Sequence, residues 1–259
     1  MTLPIQVLSP LDGRYQAVVS PLGEYLSEAG LNRARVTVEV EWLIYLTNHS
    51  MFGTSPLSAD NVAALRALVT DFGQAEIDEL ARLEATTRHD VKAVEYLVRA
   101  KLSELGLDHI AELTHFACTS EDINNLSYAL IVRDATKNIW LPGLKAVIAR
   151  LRELSVQYRD EAMLAKTHGQ PATPTTMGKE LAVFVYRLER IQKQIEGSEY
   201  LGKFSGATGT FSAHLSADPS ANWSQISEEF VTSLGLTWNP LTTQIESHDW
   251  QAELYTRIS

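Results

Sequence analysis

One cysteine, Cys118, is the entire thiol content of the 259 residues, so no disulfide closes within the chain and the sequence fits a reducing compartment. Glycine and proline are also scarce, at 14 and 9 residues, below the usual combined share of about 12%. So few breakers in a chain of this length favour long helices over many short strands. Basic residues are outnumbered, with 22 Lys and Arg against 32 Asp and Glu and a formal charge of −10. That argues against the broadly basic surface required by nucleic acid or an anionic membrane, and leaves room for a small anionic substrate in a local cationic pocket. No uninterrupted apolar run approaches the roughly 18 residues of a membrane span. The opening residues, Met-Thr-Leu-Pro-Ile-Gln, have neither the basic start nor the apolar stretch of a signal peptide, so the expected location is the cytoplasm. Against these absences stand 45% apolar and 21% charged residues, the balance of a folded globular protein. A chain of this size buries about 70–75% of its extended surface, and its core needs no staple of disulfide or metal.

The apolar pattern is helical almost throughout. Val36, Val40, Leu43 and Leu46 recur by four and three, as do Val62, Leu65, Leu68, Val69 and Phe72. Val91, Val94, Leu97, Val98 and Leu102 form a further stripe, with Gly106 as its stop. Thr119 and Asp122 have the spacing of a capping box that opens a helix through Leu126 and Leu130. Pro142 suits the start of the next helix, whose inward face is expected to be Leu144, Val147, Leu151, Leu154 and Tyr158. From Pro174 onward, Met177, Leu181, Phe184, Leu188, Ile191 and Ile195 make a heptad-like seam, with Glu189 and Lys193 paired outside it. Such a seam wants long neighbours, in its own chain or in another copy. Strand signals are few. The fold class expected is mainly α, with a boundary near Leu105-Gly-Leu-Asp108 dividing residues 1–108 from 109–259. Residues 249–259 read as the opening turns of a helix with no stop signal, as if the chain were cut inside an element.

Polar residues interrupt the helical pattern at Ser9-Pro-Leu-Asp-Gly-Arg-Tyr15, Thr86-Thr-Arg-His-Asp90, Lys166-Thr-His-Gly-Gln-Pro-Ala-Thr-Pro174 and residues 202–216. A histidine side chain can take up or release a proton around neutral pH, so His168 suits general acid or base work, or holds its loop by hydrogen bonds. Arg88, His89 and Asp90 immediately precede a helix, where backbone N–H groups and the dipole favour an anion; the alternative is that Asp90 is an N-cap and Arg88 a solvated charge. Thr119 and Ser120 open another helix and either cap it or bind a carboxylate or phosphate. Arg14, beside Tyr15, is placed to grip a phosphate in bidentate fashion or is an ordinary surface charge. Ser205-Gly-Ala-Thr-Gly-Thr210 fits neither a phosphate-binding loop nor a dinucleotide fingerprint. No nucleophile elbow occurs, and His115 with Cys118 is the only ligand-spaced His/Cys pair, a weak zinc signal. What remains is an acid–base enzyme with no metal and no cofactor.

Together these motifs resemble the adenylosuccinate lyases of the fumarase/aspartase superfamily. The resemblance rests on Asp12-Gly-Arg-Tyr15, Thr87-Arg-His-Asp-Val-Lys-Ala-Val-Glu-Tyr96, His115-Phe-Ala-Cys-Thr-Ser-Glu-Asp-Ile-Asn-Asn125 and residues 166–174. It continues through 205–210 and Asn239-Pro-Leu-Thr-Thr-Gln-Ile-Glu246, and the Thr-Ser-Glu-Asp-Ile-Asn-Asn form is closest to the bacterial branch. It implies a fumarase/aspartase-like long-helix bundle, with an N-terminal helical domain and an incomplete central bundle, assembled as a homotetramer whose active sites are shared between subunits. It also implies β-elimination of fumarate from adenylosuccinate, giving AMP, and from succinyl-carboxamide ribotide (SAICAR), giving AICAR. A base removes a proton beside a succinyl carboxylate, charge spreads into that carboxylate, and an acid protonates the departing nitrogen.

By position, the resemblance makes His168 the general acid, with Thr167 beside it in the substrate-binding motif. His89 becomes an active-site histidine, Arg14 and Tyr15 become phosphate contacts, and Arg88 and Asp90 become further substrate contacts. Thr119 and Ser120 would meet the succinyl carboxylates and Gln244 the substrate, with His115 nearby. The superfamily's Gly-Ser-Ser-x-Met-Pro-x-Lys-x-Asn-Pro loop, source of the catalytic serine base, does not occur in the chain. The expectation is therefore an N-terminal fragment, without the end of the central domain or the third domain, and inactive alone. Two rivals stay open. One is another fumarate-releasing lyase (argininosuccinate lyase, fumarase or aspartase), which would not need the Arg14-Tyr15 phosphate site. The other is a helical scaffold that has lost its chemistry.

Overall fold

The computed structural model describes Leu8, Ser9 and residues 12–259. The signal-peptide reading of residues 1–6, and Pro10 and Leu11 of the first polar motif, lie outside the described residues. The chain is mainly α, as expected. Its helices are α1 (Asp12–Leu26), α2 (Glu28–Asn48), α3 (Ala59–Thr70), α4 (Gln74–Thr87), α5 (Asp90–Glu104), α6 (Ser120–Ala135) and α7 (Leu141–Gln157). Strands β1 (Ala162–Thr167) and β2 (Gln170–Thr176) precede α8 (Met177–Glu196). There follow β3 (Leu201–Gly202), α9 (Ser212–Ala217), α10 (Trp223–Ser233), β4 (Thr237–Trp238) and α11 (Asp249–Ile258). The chain folds as two compact units: Met1–Ala135 with Glu199–His248, and Thr136–Ser198 with Asp249–Ser259.

In the first unit α2 is the central element, packed by α1, α3, α5 and α6. Ser27 caps it, its Oγ accepting the Gly30 N–H at 3.0 Å. Val36, Val40, Leu43 and Leu46 are buried as the stripe requires, and so are Val38, Trp42 and Ile44. A helix apolar on nearly every side is a core helix, and truncating Trp42 to Ala would cost about 3–5 kcal/mol. The α5 stripe is buried along its whole length. Past its end, the Leu107 N–H reaches back to the Leu102 carbonyl at 2.8 Å, with Gly106 turning the chain.

In the second unit α7 packs on α8, and α11 on α8. Two expectations shift here. The buried positions of α7 are Leu141 and Ile148, while Val147 and Tyr158 are exposed. In α8 the buried positions are Gly178, Val185 and Ile195, while Met177 and Phe184 of the seam are exposed. The two helices approach closely at Gly178. Ser155 Oγ donates to the Gly178 carbonyl at 2.8 Å, and a Cβ on Gly178 would come within 2.3 Å of the Ser155 carbonyl oxygen. Glu189, expected to pair with Lys193, instead takes Arg152 of α7. No helix among the described residues is long and apolar enough to cross a membrane.

Candidate functional site

Two helix starts meet in the first unit. His89 is the N-cap of α5, its backbone extended and its Nδ1 accepting the Lys92 N–H at 3.3 Å. The same Nδ1 also lies 3.5 Å from Asp90 Oδ1. Nε2 lies 3.3 Å from Ser120 Oγ, at the first position of α6. His89 is exposed and Ser120 half-buried, so a ligand can reach both. Each helix contributes the positive end of its dipole and backbone N–H groups without intrahelical acceptors. The capping box is half realised: the Thr119 N–H donates to Asp122 Oδ2 at 2.8 Å.

Asp90 does not cap α5; His89 does. The Asp90 carboxylate receives its own neighbour's Val91 N–H at 2.9 Å and Arg35 Nη2 at 2.6 Å. Arg35 is buried and also donates to Asn32 and Asn124, the latter on α6. It thereby ties α2, α5 and α6 together beneath the site. Burial by itself would raise the Asp90 carboxyl, but the Arg35 guanidinium and the Val91 N–H outweigh it and hold the group below its ordinary value.

His115, whose φ is +57°, lies deeper. Its Nδ1 is 2.6 Å from Glu39 Oε1, its backbone N–H donates to Glu39 Oε2 at 3.0 Å, and its Nε2 is 3.8 Å from Glu95. Burial pulls the imidazole down, yet Glu39, Glu95 and Asp122 together raise it above its ordinary value. Glu95 also receives Lys92 Nζ at 2.6 Å. Beside this cluster burial pushes the Cys118 thiol well up, which makes it a poor nucleophile.

The remaining expected residues are placed separately. Arg14 and Tyr15 are exposed on α1, the guanidinium 5.4 Å from its neighbour's ring centroid; among the described residues no hydrogen bond or ion pair joins them to His89 or Ser120. Arg88 ends α4 in the left-handed region at φ 52°, its side chain exposed. Gln244 is exposed in the loop that follows β4. Thr167 and His168 belong to the second unit. There the stretch expected to be a loop is an antiparallel hairpin, Thr167 opposite Gln170. His168 and Gly169 are its two turn residues, at φ 50° and 76°. Two successive positive φ values mark the hairpin turn that matches strand twist. The imidazole is therefore presented at an exposed tip.

Sequence reasoning missed Arg35, Glu39, Glu95, Asn125, Lys203 and Glu246, all buried. For Arg35 and Glu39 a signal existed, since both are charged positions in a helix apolar on nearly every side, where a charge requires a partner. Among the described residues no three His, Cys, Asp or Glu side chains converge as metal ligands.

Known proteins point the same way. The chain is 49% identical over 257 residues to "Adenylosuccinate lyase" of Escherichia coli (strain K12), covering 98% of this chain and 56% of that protein. It is 47% identical over 256 residues to the protein of the same name from Haemophilus influenzae, covering 98% and 56%. The chain thus spans about half the length of the curated relatives it matches. Among solved structures, fumarate lyase from Mesorhizobium sp. BNC1 aligns with a TM-score of 0.73 at 21% identity, over 92% of this chain and 53% of that one. The 3-carboxy-cis,cis-muconate lactonizing enzyme from Pseudomonas putida gives 0.72 at 19%, over 95% and 54%. At these identities the likeness is one of fold: the long-helix fold expected from the sequence. A family model described as Lyase matches residues 13–259, and the chain belongs to that family.

Proposed function

We propose that this chain is part of an adenylosuccinate lyase, releasing fumarate from adenylosuccinate to give AMP and from SAICAR to give AICAR. The observation that carries the reading is the meeting of His89 and Ser120 at 3.3 Å across two helix starts. Two motifs 31 residues apart in sequence form one donor-rich corner suited to a dicarboxylate. The 49% identity to an adenylosuccinate lyase over nearly the whole chain supports the choice within the family.

In this reading Thr119 and Ser120 hold a succinyl carboxylate at the α6 start, and the charge that develops on proton removal falls toward those N–H groups. His89 and Asp90 position the substrate, Arg88 and Gln244 add contacts, and Arg14 with Tyr15 takes the phosphate. His168, at the hairpin tip beside Thr167, protonates the departing nitrogen as the C–N bond breaks. The protein is a homotetramer in the cytoplasm, its active sites assembled from several subunits, with residues 1–108 as an N-terminal domain and a central bundle beginning at 109. No cofactor takes part in this chemistry.

The test is to incubate the complete protein with adenylosuccinate and resolve the products by chromatography. AMP and fumarate in equal amounts are expected. Cleavage of argininosuccinate, malate or aspartate instead, with no protection by AMP against heat or protease, would move the protein to another fumarate-releasing activity.

A further inference from the structure

The most heavily bonded buried group in the first unit is Asp122. Its carboxylate and the Lys203 ammonium are both fully buried, 2.8 Å apart. Oδ1 also accepts the Ser205 N–H at 3.0 Å, and Oδ2 accepts the N–H groups of Thr119 at 2.8 Å and Gly206 at 3.1 Å. Lys203 Nζ donates onward to the Gly206 carbonyl at 3.0 Å. Asn125, one turn along α6, clamps the Lys203 backbone from both sides, donating to its carbonyl at 3.0 Å and accepting its N–H at 2.8 Å. A buried ion pair with this many ordered partners is a weak source of net stability and a strong constraint on geometry.

We propose that Asp122 and Lys203 are positioning residues that fix the Thr119-Ser120 helix start as a carboxylate site and keep it electrically receptive. The inference rests on the reading of Thr119 and Ser120 given above. Asp122 sets the position of Thr119 through that residue's backbone N–H. It also puts a negative charge within one turn of a corner meant for an anion, and Lys203 cancels that charge. An uncompensated carboxylate there would repel a substrate carboxylate strongly in so poorly screened a place. Arg14 and Tyr15, the proposed phosphate contacts, share no hydrogen bond or ion pair with this network among the described residues, so the two halves of the substrate should respond to it differently.

The test uses the complete protein and two probes, AMP and fumarate, bound separately and measured by calorimetry. Asp122→Asn keeps the shape but must turn an NH2 group toward either Thr119 and Gly206 or Lys203 and Ser205. Asp122→Asn leaves Lys203 uncancelled, which by itself favours an anion, but the lost bonds to Thr119 and Gly206 are expected to outweigh this, so that fumarate affinity falls by about tenfold or more while AMP affinity stays within about twofold. Lys203→Met, which bares the carboxylate, is expected to give the same selective loss and serves as the readout should Asp122→Asn fail to fold. Unchanged fumarate affinity, or a proportional loss of both ligands, overturns the proposal. Wild-type protein that binds neither AMP nor fumarate instead overturns the functional reading on which it rests.

Discussion

His214 is fully buried among Phe204, Phe211 and Trp223, and among the described residues neither ring nitrogen meets a hydrogen-bond partner. Burial lowers its pKa to about 4. Unfolded, it titrates near 6.5, so the unfolded chain binds the extra proton and stability falls as pH drops from about 6.5 toward 4, by up to about 3 kcal/mol. His115 has the opposite sign. Its pKa is raised in the fold by Glu39, Glu95 and Asp122 against the pull of burial. Its contribution is therefore complete below about 6.5 and is lost as pH rises through the folded value. Urea unfolding across pH should show His214→Leu flattening the acid side and His115→Gln flattening the neutral-to-alkaline side. Parallel curves for wild type and both variants would contradict these assignments.

At the scale of elements, the α7–α8 pair depends on a bare backbone at Gly178. A methyl there would lie 2.3 Å from the Ser155 carbonyl oxygen and 2.5 Å from Arg159 Cα, neither of which is a flexible side-chain end. Gly178→Ala is expected to cost about 1–3 kcal/mol and to speed amide exchange in α7 and α8 while leaving α2 and α5 protected; unchanged exchange in α7 and α8 would count against the packing described. The α5 stripe was legible because one face is buried along its length, so the 3.6-residue period survives in the sequence; α2 was legible as a long apolar-rich run without breakers from Val36 to Leu46, buried on nearly every side. The face of α7 was misjudged because Ile148 and Val147 are equally apolar, and only the partner helix chooses between them. The hairpin was not legible because β1 and β2 are exposed along most of their length and carry no alternation, and because Pro171 and Pro174 argue against a strand. His168-Gly169 between them was the one local clue. The corner formed by His89 and Ser120 could be guessed as two helix starts. Of its foundations, Arg35 and Glu39 signalled only that each needed a partner; which partner they and Lys203 take was not legible, because those partners lie 55, 76 and 81 residues away.

For the molecule as a whole, α8 carries an apolar surface that its own unit does not cover. Phe184 is 54% exposed and Tyr186 66%, beside exposed Met177 and Val183. A homotetramer would bury this surface. Sedimentation velocity should show Phe184→Glu shifting the complete protein toward smaller species; an unchanged distribution would place the subunit interface elsewhere. In the proposed reaction the His168 imidazole gives its proton to the nitrogen that leaves as fumarate forms. The direct measurement is the turnover number of His168→Gln for AMP release from adenylosuccinate, with tetramer assembly checked alongside. A fall of about 10²–10⁴-fold in an intact assembly is the predicted result; turnover matching that of the wild type would contradict the account.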